Sequence, residues 1–288
     1  MKLTRQWTWS VAVAVVAAVI LSAAGVAAAE PPAAPKVSAF APAKDVVAQI
    51  EFYLTRLDEA VASESDYKDW ETRVTKDANT LVLLALAAGL HDEDNDYKAA
   101  APGLIKAAQE LSKVAVVKEQ APGTQPSAEE VAKRYAAVKA GVAAVKKAAE
   151  AKDGNPATLK WVKIADLPET MKQVPAVNTR LKRNLRGDRF TSRAKGNVGD
   201  SAAIAVIAQG SIADTSAVKN PADEAKWYKY CIEMRDAAAA LNKAIHDGKP
   251  ADGEKAAAAL AQSCDNCHET FSPKAKETMA KEAAKEKE

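Results

Sequence analysis

Val47-Ala48-Gln49-Ile50-Glu51-Phe52-Tyr53-Leu54-Thr55-Arg56-Leu57-Asp58-Glu59-Ala60-Val61 decides the fold class. Within it Val47, Ile50, Leu54, Leu57 and Val61 recur every three or four residues, which puts them on one stripe of a helix spanning roughly residues 44 to 64. The same period returns at roughly 70 to 90, 96 to 117 and 127 to 150. Ser127 opens the last of these with Glu130 three residues on, the spacing of a capping box. Composition points the same way. The 288 residues are 48% hydrophobic but only 5% aromatic, so Ala supplies much of the bulk. Ala loses little entropy in a helix and packs poorly on a pleated surface. No strand-like alternation competes, and an all-α protein is expected.

Outward from this set, Ala151-Lys152-Asp153-Gly154-Asn155-Pro156 breaks the period and a second set begins. The second set echoes the first. Leu54-Thr55-Arg56-Leu57 matches Asn178-Thr179-Arg180-Leu181, and Ala87-Ala88-Gly89 matches Ala208-Gln209-Gly210. Tyr97-Lys98 falls opposite Trp227-Tyr228, and Leu111-Ser112-Lys113 opposite Leu241-Asn242-Lys243. These matches predict tandem four-helix bundles, up-down-up-down, over 44–150 and 165–276, joined by a linker at 151–164. A Pro/Ala-rich leader at 30–43 precedes them, and a charged Lys/Glu/Ala tail at 277–288 follows.

Residues 1–29 carry a separate message. Lys2 and Arg5 precede an apolar run from Val11 to Leu21, and Ala27-Ala28-Ala29 has the form of a cleavage site. This is the pattern of a secretory signal peptide, with an uncleaved anchor as the rival, because Trp7 and Trp9 lengthen the apolar stretch. Cleavage leaves no stable membrane span and points to the periplasm. It also removes Lys2 and Arg5 and no acid, so the 40 cations and 38 acids of the full chain become balanced. Charge balance and export together argue against nucleic acid as a partner.

The chemistry is concentrated in Cys264-Asp265-Asn266-Cys267-His268, a C-x-x-C-H, the pattern that attaches a c-type haem covalently. On a helix, positions i, i+3, i+4 and i+7 share a face, so Cys264, Cys267, His268 and Phe271 point one way, with Leu260 a turn earlier. Two sulfurs can then form thioethers while the imidazole binds iron from the same side. Three alternatives stand beside this one: a Cys264–Cys267 disulfide, a redox pair and half a zinc site. A thioredoxin-like pair needs a strand feeding the helix, and zinc needs four ligands where only Cys231, His91 and His246 remain, scattered along the chain.

A C-x-x-C-H on the last helix of a four-helix bundle, near the C-terminus, resembles the class II c-type cytochromes, the cytochrome c-prime group. The resemblance covers roughly residues 165 to 275. It implies one haem c per chain, held by Cys264 and Cys267, with His268 as proximal iron ligand and Trp227, Leu260 and Phe271 packing around it. Phe271 fits the aromatic that usually follows the motif, whereas Ser272 stands where a basic residue is usual and Lys274 is displaced by two. In six-coordinate members a Met near the start of the first helix is the distal ligand, and Met171 is similarly placed. Pro175 departs from that pattern and is expected to end or delay the helix. The first repeat sets Gly141, Ala144 and Val145 opposite Cys264, Cys267 and His268, so it holds no covalent haem.

Other candidates have plainer expectations. Trp227, Cys231, Met234, Ala238, Leu241 and Ile245 follow one another at three- and four-residue spacings, the seam of a packed helix. His246, near Gly248, reads as a solvated residue at a helix end, and His91, in the acidic His91-Asp92-Glu93-Asp94, as surface. Arg180, Lys182, Arg183, Arg186, Arg189, Arg193 and Lys195 are opposed only by Asp188, a run suited to haem propionates, an acidic redox partner or simply solvent. No general base, nucleophile or substrate pocket is legible, so an enzyme is not expected. The expectation is one-electron transfer between electron-donor and electron-acceptor proteins. The rival is a five-coordinate haem protein that binds a small gas such as nitric oxide. The resemblance also permits a homodimer.

Overall fold

A computed structural model describes residues 29–117 and 126–274. The expected signal peptide up to Ala28, Met279 and the charged tail at 277–288 lie outside the described residues. The protein is all-helical, and the described residues form nine α-helices and no strand. The helices are α1 Ala43–Ala60, α2 Glu64–Leu90, α3 Ala101–Val114, α4 Ala128–Ala149, α5 Leu167–Asn184, α6 Arg189–Ser192, α7 Ala194–Ile212, α8 Glu224–His246 and α9 Pro250–Phe271. None of them is long and apolar enough to cross a membrane.

Local chemistry sets most of the boundaries. Ser63 caps α2 by accepting from the Asp66 backbone N–H at 3.1 Å, which starts the helix six residues before the expected position. Ser127 and Glu130 form the expected capping box on α4. Pro102 in the first turn of α3 starts that helix later than periodicity suggested. Pro175 neither ends nor delays α5, which begins at Leu167 and runs through it to Asn184. Packing elsewhere along α5, at Val174, Val177 and Leu181, outweighs the lost backbone donor.

Two helices form the centre. From Val74 to Gly89 on α2 and from Asn197 to Ile212 on α7, almost every side chain is buried, the mark of a helix enclosed on all sides. α2 packs against α1, α3, α5 and α7, and α7 against α1, α2, α5 and α8, while α4 lies on α3 and α9 on α8. One apolar cluster runs through residues of both halves, from Val46 and Ile50 to Leu241 and Leu260. The segments expected as leader and linker join it. Val37, Phe40 and Ala41 are buried, and the Trp161 ring sits 6.3 Å from that of Phe40.

Polar pairs cross this core. Arg56 grips Asp77 at 2.9 and 3.1 Å, and Arg180 grips Asp200 at 3.0 and 2.6 Å. Both guanidinium groups lie over the ring of Phe52, at 5.4 and 5.6 Å. Gln173 donates to the Tyr53 hydroxyl at 2.9 Å, and burial pushes that phenol well above its ordinary range. Two histidines take part in this architecture: His91, expected at the surface, is buried, whereas His246 is exposed at the end of α8 as expected. His91 is 2% exposed; its Nδ1 accepts from the Glu93 N–H, so its Nε2 carries the proton it gives to the Ala41 carbonyl at 3.0 Å. His246 reaches across to Asp45 at 2.7 Å, and the same carboxylate accepts from Asn242 at 2.8 Å.

Burial pushes the Asp200 carboxyl up, against the pull of Arg180. Replacing Arg180 alone by Met is expected to cost about 3–5 kcal/mol in urea unfolding, because it strands a buried carboxylate. The double change Arg180→Met with Asp200→Leu should cost less than that single change. A double variant less stable than Arg180→Met would show that the pair stabilises the fold outright.

Candidate functional site

α9 starts at Pro250, where a missing N–H costs nothing, and runs through the Ala-rich stretch at 256–261. It ends at Phe271, two residues before Pro273, with the Ser272 N–H closing onto the His268 carbonyl at 3.0 Å. Gly253 lets the helix approach α6 closely, since a Cβ there would lie 2.7 Å from the Phe190 ring. Leu260, 1% exposed, and Ser263 anchor the next turns in the core.

This places the C-x-x-C-H where packing meets surface. Cys264, Cys267 and His268 are all half-buried. Cys264 packs against the main core, and Cys267 against a separate small cluster of Leu167, Ile212, Trp227, Tyr228 and Cys231. Phe271 joins that cluster, its ring edge-on to Trp227 at 5.3 Å and to Tyr230 at 6.3 Å. Trp227 is fixed from behind, its indole N–H donating to the Ser211 carbonyl at 3.0 Å. Met171, one turn into α5, packs on both clusters. Of the expected site residues, Trp227, Cys267 and Phe271 share the small cluster and Leu260 and Cys264 the main core, with Met171 packed on both.

The α8 seam is as expected, with Trp227, Cys231, Met234, Ala238, Leu241 and Ile245 all buried. Sequence reasoning did not connect Cys231 with Cys267, nor did it find Leu167, Ile212 and Tyr228 around them. Cys231 follows Trp227 by four residues on α8 and so shares its face; that was the available signal. α9 lies along α8 and α5 along α7, whereas α5 and α9 share at most a marginal contact.

Burial governs the electrostatics. It pushes the Cys264 thiol up to about 11 and the Cys267 thiol up to about 12, each as a free thiol. The Cys231 thiol is pushed up further still. His268 is pulled below its ordinary value by desolvation, so its imidazole is held neutral. A neutral imidazole is the form of histidine that binds metal. The three cysteines are unpaired. No three His, Cys, Asp or Glu side chains converge into a metal-binding group among the described residues.

No protein-family model, no curated protein and no solved structure matches the chain. The arrangement on α9 is therefore the ground for any functional conclusion.

Because burial disfavours both thiolates, reduced haem-free protein should be alkylated slowly by iodoacetamide at pH 8. Cys264, raised from 9.0 to about 11, should react about a hundredfold more slowly than an ordinary thiol, and Cys267 more slowly again. Peptide mapping of a time course reads both rates, and equal, rapid labelling would contradict the burial of this face.

Proposed function

We propose that the protein is an exported, periplasmic monohaem c-type cytochrome that passes single electrons between a donor and an acceptor protein. One observation carries this reading. Two sulfurs and an imidazole, at i, i+3 and i+4 of α9, lie half-buried beside an apolar cluster that contains Met171. In this reading Cys264 and Cys267 are the thioether anchors and His268 the proximal iron ligand. Haem iron, when bound there, supplies a one-electron couple whose potential depends on axial ligand and burial. Trp227, Leu260 and Phe271 exclude water from that side of the helix. Met171 would be the candidate second iron ligand, because α5 brings it to the cluster that holds Cys267.

The finer architecture belongs to the same proposal. α1 to α4 form one up-down-up-down bundle, α5 and α7 to α9 the other, and the two descend from a duplication. The repeated ion pairs support it: Arg56 with Asp77 and Arg180 with Asp200 occupy matching helices of the two halves. Burial also refines the register. Val131, Val138, Val142, Val145 and Ala149 face inward on α4, in step with Gly253, Leu260, Cys264, Cys267 and Phe271 on α9. Val142 and Val145 thus stand opposite the two cysteines and Lys146 opposite His268, one residue from the register set by Gly141, Ala144 and Val145. The valines are fully buried, so the first half is a structural or docking module.

A pyridine haemochrome assay on protein expressed in the periplasm of a haem-c-competent host should give one haem per chain. Cys264→Ala with Cys267→Ala should abolish covalent haem; colourless wild-type protein with free or mutually bonded thiols would reject the cytochrome reading. Met171→Ala should change the visible spectrum of the haem protein. An unchanged spectrum together with rapid carbon monoxide or nitric oxide binding by the wild type would instead favour an open iron face and the gas-binding alternative.

A further inference from the structure

Lys182, Arg183, Arg186, Arg189, Arg193 and Lys195 are all exposed, and among the described residues none of the six takes part in an ion pair. Arg180, the first cation of the run, is different, being committed to Asp200 inside the fold. The only acid among them is Asp188. Elsewhere on the surface, cations commonly find an acid one turn away, as Lys68 does with Glu64 and Lys243 with Asp247. Six unpaired cations within fourteen residues repel one another, and a solvated charge run ordinarily relieves this by moving apart. This run is not free to do so. Leu185 and Phe190 are buried, Gly187 takes the left-handed turn at φ +54° that joins α5 to α6, and Asn184 is fixed by a bond to Asn197 at 3.1 Å. Arg183, Asn184, Arg189 and Arg193 wall a cleft of about 350 Å³.

The platform is also tied to α9. Phe190, in the middle of it, sits against Gly253. The cations therefore border α9 near its start, on the helix that carries the C-x-x-C-H.

We propose that this face is the docking surface for an acidic protein redox partner. The inference rests on the cytochrome reading for the word redox, but its charge argument stands without it. Arginine forks in the cleft suit carboxylate pairs on the partner's surface, and the surrounding lysines steer its approach. In a chain of almost balanced charge, such a one-signed, anchored patch selects partners by sign.

The test compares wild type with the triple variant Arg183→Gln, Arg189→Gln, Arg193→Gln and with a control of equal charge loss, Lys106→Gln, Lys133→Gln, Lys147→Gln, in exposed positions on α3 and α4. Poly-L-glutamate binding, followed by calorimetry at low ionic strength, should weaken about tenfold or more in the arginine variant, change less than about twofold in the control, and fall with added salt. In haem-loaded protein, one electron passes from the ferrous state to ferricyanide, giving ferrocyanide. That rate should drop in the arginine variant alone, and the rate with cationic tris(phenanthroline)cobalt(III) should not drop. Equal losses in both triples would overturn the proposal, as would wild-type binding to phosphatidylglycerol vesicles but not to polyglutamate. If the haemochrome assay is negative while polyglutamate binding still depends on the arginines, the cytochrome reading fails and the acidic-partner surface survives. Circular dichroism of both triples checks that folding is unchanged.

Discussion

Two buried carboxylates, Asp77 on α2 and Asp200 on α7, each need a guanidinium from the neighbouring helix, and the packing of the two halves is arranged around that need. The acids sit on the two helices that are enclosed on all sides, where water cannot compensate them. Arg56 from α1 and Arg180 from α5 supply the compensation as two-point contacts, and Phe52 lies against both cations. Sliding α5 on α7 by one turn would strand Asp200, and sliding α1 on α2 would leave Asp77 only the longer contact to Arg73 of its own helix, at 3.7 Å. Apolar packing supplies the bulk of the stability and tolerates many registers; the ion pairs penalise the wrong ones. The outer helices α3, α4, α8 and α9 then pack outward from this centre.

This explains what was legible in the sequence. Helix existence follows from local periodicity, so nearly every helix was foreseen, and the α8 seam from Trp227 to Ile245 was correct residue by residue. The stripe on α1 was only nearly right. Its buried centre is Val46, Gln49, Ile50, Tyr53 and Leu57, while Val47 and Leu54 are half-buried. Two of the five are polar, and an apolar count rotates away from them. Their partners lie far along the chain: Tyr53 accepts from Gln173, and Gly199 leaves the room that Gln49 fills. The same reason hid the burial of His91 and the partner of His246. Each stands beside acids in the sequence, yet one is held by the Ala41 carbonyl and the other by Asp45, 201 residues away.

The candidate site divides along the same line. Cys264, Cys267, His268, Leu260 and Phe271 share one helix, so spacing alone puts them on one side of it. Trp227 is one helix away and Met171 four, and their meeting with Cys267 depends on α5 and α8 being placed against the central α7. Cys231 shows the limit of pattern reading. Its spacing marked it correctly as core, but its position beside Cys267 emerges only when α8 and α9 pack together.

The contrast between the halves bears on why the cysteine face is built as it is. In the first half α1 and α4 touch, and Val142 and Val145 are at most 1% exposed, so the valine face of α4 is closed by its own neighbours. In the second half α5 and α9 barely meet, and Cys264, Cys267 and Phe271 remain half-buried although each packs on an apolar cluster. Apolar surface left to water forfeits about 25 cal/mol for every Å². Under the proposed duplication, one copy has recovered that term with branched side chains and the other has not. Substituting valine for cysteine is available to any helix; a face that keeps two sulfurs and an imidazole at the edge of its core forgoes that closure. An occupant that covers the face from the α5 side would restore the lost burial.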